Sequence, residues 1–249
     1  MKAHACFFVC LVLPIFASYP QLEKNPYLTK TMKQKITLYL LPENHPIRPT
    51  LDTLFAKIQT IENLETLIQN HFTILSVQEK SHVVVAKHPQ LKGFLFKIYR
   101  NSLPNGRNHT IGWESLVLRC KHQRKVKHLL LKKEIRYFEV PEKWLYPLHV
   151  SRKTDQPIVL IATDMDLTSH EESIHAWKTK ITKNHLSELY LILKKGYSSV
   201  HVTYNIPYTK RGTFALIDLE KPRKSHKLHR IERFLSDENQ YYWQLITHS

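Results

Sequence analysis

The chain reads as an α+β protein: a five-stranded antiparallel sheet with one helix, followed by a shorter, mostly helical C-terminal part. Three observations predict this. Strand-type segments crowd between Phe72 and Ala162, and helical apolar spacing recurs over Thr110 to Leu131 and Ile174 to Lys195. Between Tyr204 and Glu220 the order is polar turn, strand, hairpin turn, strand, acid. Strand and helix periods that separate along a chain in this way indicate sheet and helices segregated in space.

The elements follow in order. Met1-Lys2-Ala3-His4 is a positive start, Ala5 to Phe16 is an apolar run broken by Pro14, and Ala17-Ser18 are small. Residues 1–18 therefore read as an export signal, with a buried N-terminal helix or an uncleaved anchor as the alternatives. An exported or envelope-associated protein is the expectation. The run is short for a bilayer span, and nothing later reads as transmembrane. Cys6 and Cys10 lie in this segment, so a processed chain keeps only Cys120 and has no intramolecular disulfide.

Residues 19–70 form an N-terminal extension. Tyr19 to Arg48 is polar and Pro-rich, with a short strand expected at Ile36 to Leu41. Pro49 to Asn70 carries Leu51, Leu54, Phe55, Ile58, Ile61, Leu64, Leu67 and Ile68 at spacings of three and four, an amphipathic helix that packs on the sheet or binds a partner.

Residues 71–162 hold the strands. Phe72 to Val77 and His82 to Ala86 form an antiparallel pair, and Gly93 to Arg100 alternates as a third strand with Lys97 among apolar neighbours. Thr110 to Leu131 is a helix, and Ile135 to Val140 and Ile158 to Ala162 supply the last two strands. In residues 163–249, Thr163 to Leu167 is a connection and Ile174 to Lys195 a long helix ended by Gly196. Ile206 to Tyr208 and Thr213 to Ile217 flank the turn Lys210-Arg211-Gly212. A hairpin of this length brings Asn205 and Asp218 to one end, and an Asn amide with an Asp carboxylate makes a hard oxygen site suited to Mg²⁺ and its phosphates.

Asn205 and Asp218, thirteen residues apart, with Ile217-Asp218-Leu219-Glu220, resemble the metal-holding segment of the protein-kinase-like superfamily, in particular its aminoglycoside phosphotransferase branch. The order of elements over roughly residues 70 to 222 is similar to that family as well. The resemblance implies a small lobe at residues 71–162 and a hinge at Thr163 to Leu167 leading into a truncated large lobe. It implies that Lys97 pairs with nucleotide phosphates, that Glu114, seventeen residues on, pairs with Lys97, and that Asn205 and Asp218 hold the metal of Mg-ATP. The chain departs from the pattern in three places. The position five before Asn205, where the family has its base, is Val200, or Ser199 after a one-residue insertion; neither is a carboxylate. The connection Gln78-Glu79-Lys80-Ser81, where the phosphate loop belongs, has no Gly to let backbone N–H groups approach phosphate. Only 31 residues follow Asp218, too few for an acceptor-binding half. No catalytic residue is assigned. His201 is the nearest titratable group to the missing base, and a surface His is the alternative reading.

Composition adds a charge argument. With 37 basic and 21 acidic residues the net charge is +16, gathered in Lys121 to His128 and Lys221 to Arg230. Such a field attracts nucleic acid, anionic lipid or phosphorylated ligands, though no motif for specific nucleic-acid readout is present. Three function classes follow: a kinase-like protein without catalysis that acts as a binding or scaffolding module for a protein or anionic ligand and keeps nucleotide contact; an active, atypical ATP-dependent phosphotransferase; or a basic protein of nucleic acid or anionic surfaces.

Overall fold

A computed structural model describes residues 19–26, 28–56, 63–79, 82–99, 112–149, 157–219, 222 and 227–248. The export-signal reading of residues 1–18 and half of the second basic cluster, 221 and 223–226, lie outside them. The fold is α+β, with a five-stranded antiparallel sheet and helices.

Four short helices come first: α1 (Pro20–Glu23), α2 (Lys30–Thr37), α3 (Arg48–Leu54) and α4 (Leu64–Gln69). Two expectations change here. Of the strand expected at Ile36 to Leu41, Ile36 and Thr37 instead close α2, which Thr29 starts by accepting a hydrogen bond from the Met32 N–H at 3.3 Å, and Leu38 and Tyr39 form a turn. Only Leu40 behaves as strand, through one parallel bridge to Leu145. The Pro49 to Asn70 helix is two helices, because Asn63 and Thr66 form a capping box that begins α4 afresh; residues 57–62 lie outside the described set.

The sheet contains β1 (Thr73–Gln78), β2 (Val83–Lys87) and β3 (Phe94–Tyr99). After these come the helix α5 (Gly112–Lys132) and the strands β4 (Phe138–Glu139), β5 (Lys143–Pro147) and β6 (Ile158–Thr163). The sheet order is β1-β2-β3-β6-β5, with every pair antiparallel. The fourth strand expected at Ile135 to Val140 is thus corrected to Lys143–Pro147. Pro141 removes a ladder donor and ends the apolar run early. β4 pairs in parallel with β7 (Phe214–Ala215) outside the main sheet. The edge at β5 is covered by the N-terminal extension, where the Leu41 N–H reaches the Leu145 carbonyl at 3.0 Å and the Leu145 N–H reaches the Tyr39 carbonyl at 2.8 Å. Covering an edge strand in this way protects it from pairing with another chain.

Register fixes which side chains share a face. Phe96 lies opposite Ile161, itself opposite Trp144, and that face packs on Phe55 of the extension and on Phe72 just before β1. Lys97 lies opposite Leu160 and belongs to the other face, as do Ala162 and Lys143, and there α5 crosses β3, β6 and β5. Two apolar cores result. Trp113, Leu116 and Cys120 of α5 join the first, with the sheet and the extension, while Val126 and Leu130 join the second. One helix therefore ties both halves together.

The second half contains α6 (His170–Thr179), α7 (Lys183–Lys194), α8 (Val202–Asn205) and β7, then a 3₁₀ helix (Leu228–Phe234) and α9 (Asp237–His248). The single helix expected at Ile174 to Lys195 is divided, because Ser169-Glu172 and Thr182-His185 each form a capping box. Buried Ile181 keeps the apolar spacing continuous across the break, which is why periodicity alone joins the two. Gly196 has φ 81° and its N–H closes on the Leu193 carbonyl at 2.8 Å, the left-handed stop that glycine permits. Trp177 and Trp243 fill this core, and each indole N–H finds a carbonyl at 3.0 Å, Ile206 and Leu228 respectively. No helix among the described residues is long and apolar enough to cross a membrane.

Candidate functional site

The hairpin after α8 is short and fully clamped. The Thr209 N–H donates to the Thr213 carbonyl at 2.9 Å, Ala215 to Pro207 at 2.9 Å and Ile217 to Asn205 at 3.1 Å. Gly212, with φ 88°, makes the turn. The last of these bonds sets Asn205 beside Ile217, so Asn205 and Asp218 lie at one end of the hairpin. On its other side Leu216 donates to the Glu139 carbonyl at 2.8 Å. Asp218 emerges from this clamp pointing toward the α5 face of the sheet.

Three cations meet it there. Arg119 Nη1 of α5 forms a close ion pair with Asp218 Oδ1, and Lys97 Nζ of β3 stands 3.9 Å from the same oxygen. Lys143 of β5 is buried behind them and donates to the Ile217 carbonyl at 3.1 Å. Arg119, Lys97 and Asp218 keep 12%, 13% and 21% of their side chains exposed, so the cluster is largely buried but not sealed from solvent.

The electrostatics follow from this crowding. Burial, then the neighbouring Arg119, push Lys97 down to about 8 against the pull of Asp218. Burial, then Lys97, push Lys143 down to about 7, again with Asp218 opposing. Burial would raise Asp218, but Arg119, Lys97 and Lys143 together overturn it and hold the carboxyl below its ordinary value. The cluster has one anion for three cations and an excess of positive charge.

The structure therefore brings Lys97 and Asp218 together. It places Glu114 elsewhere: that side chain lines a shallow pocket with Met32, Lys35, Ile36 and Trp113, and the carboxylate that faces Lys97 belongs to Asp218. Asn205 is half-buried in α8, and among the described residues no hydrogen bond engages its side-chain amide. Ser199 and Val200 are both buried, and His201 is exposed. Ser198, just before them, has φ 65° and a buried hydroxyl without a partner.

Mg²⁺ does not fit this donor set. Asp218 Oδ1 is engaged by Arg119 and Lys97, and the three neighbouring cations, Lys143 included, repel a further one. Among the described residues no group of three or more His, Cys, Asp or Glu side chains gathers to hold a metal. A phosphate chain, by contrast, finds guanidinium and ammonium donors.

Arg119 and Lys143 are the members that sequence reasoning missed. Arg119 continues the inward stripe Trp113, Leu116, Cys120 and Gln123 of α5, and that spacing is the signal that could have found it. Lys143 carries no such signal, because the sequence pattern starts its strand eight residues earlier, at Ile135.

The surroundings are closely bonded. The connection after β6 is pinned by the Asp164 N–H on the Gly93 carbonyl at 2.8 Å and by a Lys87–Asp164 ion pair at 2.5 Å. Glu142 and Thr163 exchange two hydrogen bonds of 3.0 Å, and Glu142 also takes Gln123 and Lys127 of α5. No protein-family model matches the chain, and no curated protein matches its sequence.

Proposed function

We propose that this chain is a kinase-like protein without phosphotransfer, a binding or scaffolding module that keeps nucleotide contact through Lys97. The observation that carries the reading is the state of Asp218. A kinase-type carboxylate must be open to a metal; here Arg119 and Lys97 already neutralise it. The positions where a base would stand, Ser199 and Val200, are buried and carry no carboxylate. A sheet, one crossing helix, a pinned connection and a helical half give the element order that the resemblance implies, which supports the kinase-like part of the reading. The functional partner is then a protein or an anionic ligand.

The test is ATP turnover by the full chain with Mg²⁺ or Mn²⁺, measured as γ-phosphate release and as self-phosphorylation. Rates indistinguishable from Asp218→Ala are expected. A clear rate in the wild type that Asp218→Ala removes would establish the active phosphotransferase instead.

A second reading, contact with nucleic acid or an anionic surface, is favoured by Lys121, Lys125 and His128, which recur along one exposed stripe of α5. It requires salt-sensitive binding that neutralising Lys121 and Lys125 weakens and Asp218→Ala leaves unchanged.

A further inference from the structure

We propose that the cluster of Lys97, Arg119 and Lys143 around Asp218 binds the polyphosphate chain of a nucleotide directly, with the Arg119 guanidinium standing where a divalent cation would otherwise stand. The proposal rests on the nucleotide-contact reading above and states its chemistry.

A metal in a kinase-type site links a protein carboxylate to phosphate oxygens and supplies two positive charges. Arg119 can make the same link. Its guanidinium is planar and carries five N–H donors, so the edge held by Asp218 leaves others for phosphate oxygens. Lys143 supplies the second charge from behind, anchored on the Ile217 carbonyl at 3.1 Å, and Lys97 supplies a third from β3. Asp218 then has a different task from metal ligation: it holds Arg119 in place and balances part of the charge while no ligand is bound. The glycine-free connection after β1 agrees with this, because side-chain cations rather than backbone N–H groups do the gripping.

The protonation state supports the arrangement. Lys143 and Lys97 sit at about 7 and about 8 in the ligand-free cluster, so near neutral pH they are incompletely charged. An arriving phosphate anion favours their charged forms, and binding takes up protons.

The experiment is calorimetric titration of ATP into the full chain, once in excess EDTA and once in excess Mg²⁺, with inorganic tripolyphosphate as competitor. The wild type is compared with Arg119→Gln and Lys143→Met. The expected result is binding in EDTA at least as tight as in Mg²⁺, weakened at least tenfold by Arg119→Gln and competed by tripolyphosphate. In buffers of different ionisation enthalpy the heat should report proton uptake, which Lys143→Met reduces. Binding seen only with Mg²⁺, and tightened by Arg119→Gln, would overturn the metal-free site while leaving nucleotide contact standing. Failure of tripolyphosphate to compete would overturn assignment of the cluster to the phosphate chain. Absence of ATP binding under both conditions would overturn the nucleotide-contact reading itself, and this proposal with it. Circular dichroism on each variant separates loss of the site from loss of the fold.

Discussion

Arg119 and Asp218 are ninety-nine residues apart in the chain and joined by a part-buried ion pair at the seam between the helix that crosses the sheet and the hairpin of the helical half. The pair fixes α5 against the hairpin, and it takes the carboxylate that a metal would need. One contact therefore bears on both the stability of the fold and the chemistry of the charge cluster.

Removing one partner of such a pair leaves a charge in a poor solvent. Arg119→Ala is expected to cost about 3 kcal/mol in urea unfolding, the low end for breaking a buried pair. Asp218→Asn should cost more at pH 6 than at pH 9, because it leaves Arg119, Lys97 and Lys143 facing one another and the lysines shed charge as pH rises. A cost for Asp218→Asn that is the same at both pH values would contradict this.

Lys143 sets a second pH dependence. Its folded value is about 7 and its ordinary value 10.5, so between those limits the unfolded chain binds more protons and stability rises with pH. Below about 7 the fold carries the whole cost of a buried ammonium. Lys143→Met is therefore expected to raise Tm most at pH 6, with the gain shrinking toward pH 9. An equal gain at both pH values, or a lower Tm at pH 6, would show that the buried charge is better satisfied than its single 3.1 Å bond to the Ile217 carbonyl suggests.

The part of this site that was legible in the sequence had local signals. Lys97 stands in a strand whose alternation is plain, and Asp218 follows a hairpin whose turn residues name it. Arg119 falls on the inward stripe of α5, but its partner is hidden in the sequence, because the hairpin that carries Asp218 arrives ninety-nine residues later. Lys143 was hidden by its neighbours: Ile135 to Val140 has the stronger strand composition, whereas Lys143-Trp144-Leu145-Tyr146-Pro147 has no β-branched residue. Among the helices, apolar spacing found the right residues and the wrong number of elements. Caps at Asn63 and Thr182 break the chain where periodicity runs on.

Glu188 offers a test in the other half of the molecule. Its carboxylate, on α7, accepts from the Arg136 N–H at 3.1 Å and the Tyr137 N–H at 2.9 Å, the donors left open where the chain turns from α5 into β4. Glu188→Ala should cost about 1 kcal/mol in urea unfolding, the low end of the range, because water reaches the Arg136 N–H and partly the Tyr137 N–H. Glu188→Gln, which keeps an acceptor, should recover much of it. Equal losses in the two variants would mean that charge, rather than hydrogen bonding, is what the loop requires.

Ser169 tests the division of the helices. Its hydroxyl accepts from the Glu172 N–H at 3.1 Å, and Glu172 Oε2 accepts from the Ser169 N–H at 2.8 Å. Ser169→Ala is expected to cost about 1 kcal/mol, the usual loss of an N-cap, with amide exchange quickened in the first turn of α6. Unchanged protection there would show that α6 is held by packing of Trp177 alone.

The most direct test of the account is calorimetric titration of ATP into the wild type and into Lys97→Ala, beside the same samples assayed for turnover. Binding in the micromolar range, lost on Lys97→Ala, with no release or transfer of the γ-phosphate, is the expected result. Absence of binding at millimolar ATP, or turnover that depends on Asp218, would contradict the account.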